Sequence, residues 1–185
     1  MQGTYWKRLG LTTGVAIMLA AGAQAQTPVE RPLTLEVRGI AMLPTFDIAD
    51  AADLGWGGGA GIGYRLSEKF RLGADFDIAS HGTPTPDVNI TTTHYIAKIG
   101  YDLVNNARLS LTVNLGAGAV SFGGDLPETT TAFAINAGAK LGIRLSPAVE
   151  LLVSPQGDIA FTDKAKLGTD NAWVWPLGLG FRFSF

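Results

Sequence analysis

The sequence contains no cysteine and only two histidines, so few kinds of reactive or metal-binding chemistry are open to it. Without cysteine it has no disulfide, no thiolate metal site, no cysteine nucleophile and no lipidated cysteine. His81 and His94 follow no metal-ligand spacing, and no phosphate-binding glycine loop with its lysine occurs. The formal net charge is −2 and no basic patch is present. We therefore expect no cofactor, no metal and no nucleic-acid partner.

The sequence also lacks a long apolar segment apart from one stretch at its N-terminus. There Lys7 and Arg8 precede an apolar run over residues 9–21, which small residues follow up to Ala25. The run is shorter than the roughly 20 residues that a membrane-spanning helix needs. Basic, apolar and small residues in this order are typical of an export signal. We predict a cleavable signal peptide over residues 1–25 and one mature domain over residues 26–185, with a formal charge of −4.

What the sequence has in abundance is alternation of apolar and polar residues with a period of two. It is clearest near the C-terminus, at Trp173, Trp175, Leu177, Leu179, Phe181, Phe183 and Phe185. Seven further segments of about ten residues alternate in the same way, beginning near Leu35, Trp56, Phe70, Tyr95, Leu109, Phe133 and Val149. Such spacing gathers apolar groups on one face only in an extended chain. The sequence therefore predicts eight strands, with a bulge or bend at Pro176 in the last.

The connections between these segments alternate between short and long. Tight turns are predicted at residues 67–68, 104–107 and 146–147, and longer loops at 44–54, 79–92, 123–130 and 162–171. Because lipid offers no partner to an unpaired backbone group, a sheet that spans a membrane must close on itself. We predict an all-β fold, a transmembrane eight-stranded antiparallel up-and-down β-barrel. A soluble sandwich or lipocalin-like barrel is the alternative, but its surface would carry more polar residues.

The polar faces of the strands collect charged side chains, which the barrel would enclose. They are Glu36, Arg38, Arg65, Arg71, Asp75, Asp77, Lys98, Asp102, Lys140, Arg144, Glu150 and Arg182, with Arg108 and Asp158 as further candidates. The interior of an eight-stranded barrel is only just wide enough for side chains. We therefore predict an ion-paired lumen charge network and expect a filled interior before an open pore. Glycines 57, 59, 61 and 63 share this face and leave room for long side chains from other strands.

With these strands in place, the chain resembles the small outer-membrane β-barrel proteins of the OmpA and OmpX type over residues 33–185. The best landmarks are Gly63-Tyr64-Arg65-Leu66-Ser67, Gly100-Tyr101-Asp102-Leu103 and the terminal Phe181-Arg182-Phe183-Ser184-Phe185. The resemblance implies a bacterial outer-membrane location with lipid around the barrel. It also implies that Phe181, Phe183 and Phe185 form an assembly signal for the barrel-assembly machinery. We expect a monomer.

Three functions remain open at this point. The first is a non-enzymatic barrel that contributes to envelope integrity or presents its outer loops to partners, since loops carry the variable surface of such a scaffold. The second is a small channel. The third is a lipid-modifying enzyme that uses His81 or His94 with Ser80 and an acidic residue as a hydrolytic set.

Overall fold

The computed structural model describes residues 31–185, apart from the side chain of Lys166, so the predicted signal peptide lies outside the described residues. The strands are β1 (Leu33–Thr45), β2 (Gly55–Arg65), β3 (Phe70–Gly82), β4 (Asn89–Asn105), β5 (Leu109–Gly124), β6 (Thr130–Ser146), β7 (Val149–Phe161) and β8 (Asn171–Ser184). A 3₁₀ helix (Phe46–Asp50) follows β1, and a single helical turn, α1 (Lys164–Leu167), precedes β8.

The eight strands form a closed barrel in sequence order, and every neighbouring pair is antiparallel. Closure comes from β1 and β8, which pair from Thr34 opposite Ser184 to Thr45 opposite Trp173. Both chain ends of the barrel lie at the end with the short connections, which we call the turn end. The opposite end is the loop end. The predicted eight-stranded up-and-down barrel is confirmed, and it leaves no unpaired strand edge.

The strands extend farther toward the loop end than the apolar alternation predicts. β3 and β4 stay paired as far as Gly82 opposite Asn89, which shortens the predicted 79–92 loop to residues 83–88. The added length of β4 contains Thr91, Thr92 and Thr93. Threonine is β-branched and favours strands although it is polar. A rule that follows only apolar residues therefore ends the strand too early.

The predicted bulge at Pro176 is wrong, whereas the alternative of a local bend there stays a prediction. The register between β8 and β1 is unbroken there, with Met42 opposite Pro176 and Leu43 opposite Trp175. Between β7 and β8, Pro155 pairs with Leu177 and Asp158 pairs with Val174 in the same register, but the two positions between them are not paired. Proline has no N–H to donate, so the ladder is interrupted without a shift. Register shifts occur instead near two turns, in β4 and β6.

The distribution of residues is the reverse of that in a water-soluble protein. Outward side chains along the strands are apolar and exposed, for example Val37 (53%), Leu115 (65%) and Leu179 (60%). Buried positions hold most of the charged side chains of the strands, and Arg182 is 2% exposed. No outward position of the eight described strands carries a charge. Such an exterior requires a lipid environment. No helix within residues 31–185 is long and apolar enough to cross a membrane.

Candidate functional site

Nine of the twelve predicted lumen charges are joined by ion pairs into one connected set. They are Glu36, Arg38, Asp75, Asp77, Lys98, Lys140, Arg144, Glu150 and Arg182, and we call this set the lumen network. It occupies the half of the interior nearer the turn end. No single strand pair brings these residues together, because Lys140 on β6 contacts Glu36 on β1 and Asp75 on β3, which are not neighbours of β6 in the sheet.

Two carboxylates lie at the centre of the lumen network. Glu36 accepts hydrogen bonds from Arg38 Nη1 at 3.0 Å, Lys140 Nζ at 2.6 Å and Arg182 Nε at 2.9 Å. Asp75 contacts Lys98 Nζ at 2.7 Å, Lys140 Nζ at 3.0 Å and Arg38 Nη2 at 3.3 Å. Buried charges are tolerated only when they are paired in this way. The arrangement holds five strands together through two acidic side chains.

The remaining predicted lumen charges lie outside this network. Arg71 and Asp102 form a separate pair, with Nε at 2.8 Å from Oδ1 and 2.9 Å from Oδ2. Thr112 Oγ1 donates to the same carboxylate at 2.6 Å. Arg65 makes no ion pair with any residue that the structure describes. Arg108 is exposed in the turn before β5, so its predicted inward position is wrong.

Two inward glycines of β2 make room for the acidic side chains of β3. A Cβ at Gly59 would lie 1.9 Å from Asp77 Oδ1, and one at Gly61 would lie 2.5 Å from Asp75 Oδ1. Neither position can accept a side chain without moving a carboxylate that is fixed by cations. The glycine-rich face of β2 is therefore part of how the lumen network is packed.

The half of the lumen nearer the loop end contains an apolar cluster that was not predicted, beside buried polar residues such as His81 and Thr92. The buried residues of the cluster are Ile96, Val120, Phe122, Ala132, Ala134, Ala160 and Ala172, and we call this cluster the apolar cap. Ile48, Leu126 and Leu167 from three loops pack against it. The sequence signal was that Ile96, Val120 and Phe122 fall on the polar faces of their strands. The interior is thus ion-paired near the turn end, and near the loop end it combines a packed apolar cluster with hydrogen-bonded polar side chains.

Both histidines are buried within the barrel, on the face of their strands opposite to that of Ser80. His94 Nδ1 hydrogen-bonds Asp158 Oδ2 at 2.7 Å, and Asn136 donates to the other oxygen of that carboxylate. His81 Nδ1 donates to the carbonyl oxygen of Asp53 at 2.8 Å. Ser80 lies on the opposite, outward face of β3. No Ser-His-acid set is assembled from these residues, and residues 31–185 contain no group of three metal-ligating side chains.

The connections at the loop end form a joined and acidic rim. Thr169 Oγ1 donates to Asp47 Oδ2 at 3.3 Å, and the rings of Phe46 and Trp173 meet edge to face with centroids 5.5 Å apart. Asn89 N donates to Asp125 Oδ2 at 2.9 Å, which ties the second and third loops. The loop residues carry two lysines, Lys164 and Lys166, and eight carboxylates, at Asp47, Asp50, Asp53, Asp87, Asp125, Glu128, Asp163 and Asp170.

The sequence profile of the family described as "Outer membrane protein beta-barrel domain" matches residues 11–184. No curated protein sequence matches significantly. Neisserial surface protein A has a similar structure, with a TM-score of 0.70, 14% identity, and coverage of 83% of this chain and 97% of that one. For OprG of Pseudomonas aeruginosa the TM-score is 0.57, with 13% identity and coverage of 84% and 97%.

The attachment invasion locus protein Ail of Yersinia pestis is a third similar structure. Its TM-score is 0.52, with 17% identity and coverage of 84% of this chain and 100% of that one. Ail has also been crystallised in complex with the heparin analogue sucrose octasulfate. At these identities the likeness establishes the barrel fold and its strand number.

Proposed function

This chain belongs to the family of outer membrane protein β-barrel domains. We propose that it acts in the outer membrane as a closed, non-enzymatic barrel that presents its outer loops to partners. The turn end then faces the periplasm and the loop end faces the cell exterior. In this proposal the residues of the lumen stabilise the folded barrel, and the acidic rim binds the partner. A rigid, sealed barrel also contributes to the integrity of the envelope.

The filled interior is the observation that carries this proposal. A water path through the barrel would have to pass both the lumen network and the apolar cap. The cap side chains Phe122, Val120 and Ile96 are 1%, 0% and 3% exposed, and loop residues pack against this cluster. An ion that passed between these packed side chains would lose its hydration shell, and that loss is costly. The second candidate, a small channel, is therefore disfavoured.

The charge of the rim indicates the kind of partner. Eight carboxylates and two lysines give the loops a formal charge of −6. A surface of one sign raises the rate of encounter with partners of the opposite sign and repels those of the same sign. A heparin-like polyanion, as in the Ail complex, does not fit this rim. We propose a cationic partner, such as a basic protein surface or peptide.

The placement of the histidines supports a non-enzymatic role. His81 and His94 are buried within the barrel, while Ser80 faces lipid. A hydrolytic set needs its nucleophile and base within hydrogen-bonding reach of each other. These residues would have to change faces of a strand to meet.

Single-channel recording tests the proposal most directly. The protein, purified in detergent and inserted into a planar lipid bilayer, should carry no steady current under applied voltage. Insertion is verified in the same preparation by protease protection of the strands. Reproducible conductance steps from protein shown to be folded would overturn the closed-barrel proposal and favour the channel.

A further inference from the structure

We propose that the lumen binds one small inorganic anion of about the size of chloride near its turn end, beside Arg71. This inference is independent of the proposed outer-surface function, since it concerns the opposite end of the barrel. It rests on the balance of buried charge, on two arginines with unpartnered nitrogen atoms, and on a cavity that adjoins one of them.

The lumen carries more cationic than anionic charge. The twelve predicted lumen charges comprise seven cations and five carboxylates, a formal excess of +2. Asp158, a further carboxylate of the interior that is bonded to His94 and Asn136 nearer the loop end, lowers this formal excess to +1. Buried charge without a counter-charge is costly because the surroundings have a low dielectric constant.

Arg65 and Arg71 account for +1 of this balance, because two cations there accompany one carboxylate, Asp102. The two arginines lie directly opposite each other on β2 and β3. Asp102 binds Arg71 through Nε alone, which leaves the buried Nη2 atom without a hydrogen-bond partner among residues 31–185. The Nε atom of Arg65 is also buried and has no partner in the same range. Arg71 is 8% exposed, so solvent reaches little of its charge. Like charges opposite each other destabilise a strand pair, and an anion between them would remove that cost.

A cavity of about 40 Å³ adjoins Arg71 inside the barrel. Lys98, Lys140 and Arg182 also line it, against the two carboxylates of Glu36 and Asp75. Room comes in part from glycines, because Gly63 pairs with Gly73 next to the arginine pair, and Gly100 lies opposite Arg71 on β4.

The size and polarity of this cavity favour a small anion. A cavity needs only about 10–15 Å³ to hold one water, so this one can hold a monatomic anion with a water beside it. Water alone would accept hydrogen bonds from the free guanidinium nitrogens but would leave the excess charge in place. A chloride-sized anion accepts the same bonds and neutralises charge as well.

The test is thermal unfolding of the detergent-purified protein in sodium chloride and in sodium gluconate at equal ionic strength. A ligand that binds only the folded state raises the unfolding midpoint in a saturable manner. We expect chloride to raise the midpoint relative to gluconate, which is too large for the cavity. Arg71→Gln should abolish this difference and Arg65→Gln should reduce it. Arg108→Gln is the matched control, because Arg108 is exposed at the same end and should leave the difference unchanged.

A second measurement keeps the test decisive if Arg71→Gln does not fold. Crystals of the unaltered protein grown with sodium bromide should show an anomalous scattering peak beside Arg71. The proposal is overturned if the unfolding midpoints in chloride and in gluconate are equal. It is also overturned if chloride still raises the midpoint of Arg65→Gln and Arg71→Gln, which would indicate a general salt effect, or if the crystals show no bromide beside Arg71.

Discussion

Replacing Asp75 with asparagine should destabilise the barrel far more than the same change at Asp77. The two residues lie two positions apart on β3, face the same interior and are 5% and 4% exposed. Asp75 contacts three cations, and it is the sole ion-pair partner of Lys98 among the described residues. Asp77 contacts Arg38 alone.

The difference between the two variants follows from what each leaves behind. In Asp75→Asn, Lys98 keeps only its hydrogen bond to Gln156 at 3.0 Å and becomes a buried charge without a counter-charge. Breaking a buried pair in this way costs about 3–5 kcal/mol. In Asp77→Asn, Arg38 keeps Glu36 at 3.0 Å and Asp75 at 3.3 Å. Loss of one charge-assisted hydrogen bond costs about 1.5–3 kcal/mol.

Urea unfolding in detergent, followed by tryptophan fluorescence, gives the free energy of unfolding of each variant. The double variant Asp75→Asn with Lys98→Met should recover much of the loss, because it removes the orphaned charge. Equal free energies for the two single variants would refute the reasoning, since their burial and chemistry match and only the number of cationic partners differs. A double variant no more stable than Asp75→Asn would show that Lys98 is not the residue left unpaired.

Two further predictions concern the ends of the barrel. Phe185→Ala should slow insertion by the barrel-assembly machinery in proteoliposomes yet leave the folded barrel stable. The control Leu103→Ala, at a residue similarly exposed at the same end, should insert at the normal rate. Equal insertion rates for the two variants would argue against the assembly signal. The double variant Asp50→Asn with Asp87→Asn should weaken the binding of a cationic peptide to intact cells, and the loss of binding should be larger at low salt. Glu68→Gln, at the turn end, is the control. Unchanged binding in the double variant would rule out the acidic rim as the recognition surface.

Much of the fold was already decided by local pattern. A strand exposes alternate residues to opposite sides, so a period of two identifies both the strands and their lipid-facing side. The apolar residues of β8 and the inward positions of Glu36 and Arg182 follow from that rule alone. Where polar β-branched residues continue a strand, as at Thr91 and Thr93, the rule loses its signal and the predicted loop is too long.

Only the tertiary structure decided which charges pair and where the lumen is sealed. Alternation with a period of two shows whether a side chain points into the barrel or out of it. It does not show the height of that side chain along the barrel axis, which depends on the stagger of eight strands around the closed sheet. Lys140 therefore meets Glu36 across 104 residues of sequence, while Arg65 meets no carboxylate that the structure describes. The apolar cap likewise forms from one or two residues on each of five strands and from three loops, a combination that no one segment of the sequence contains.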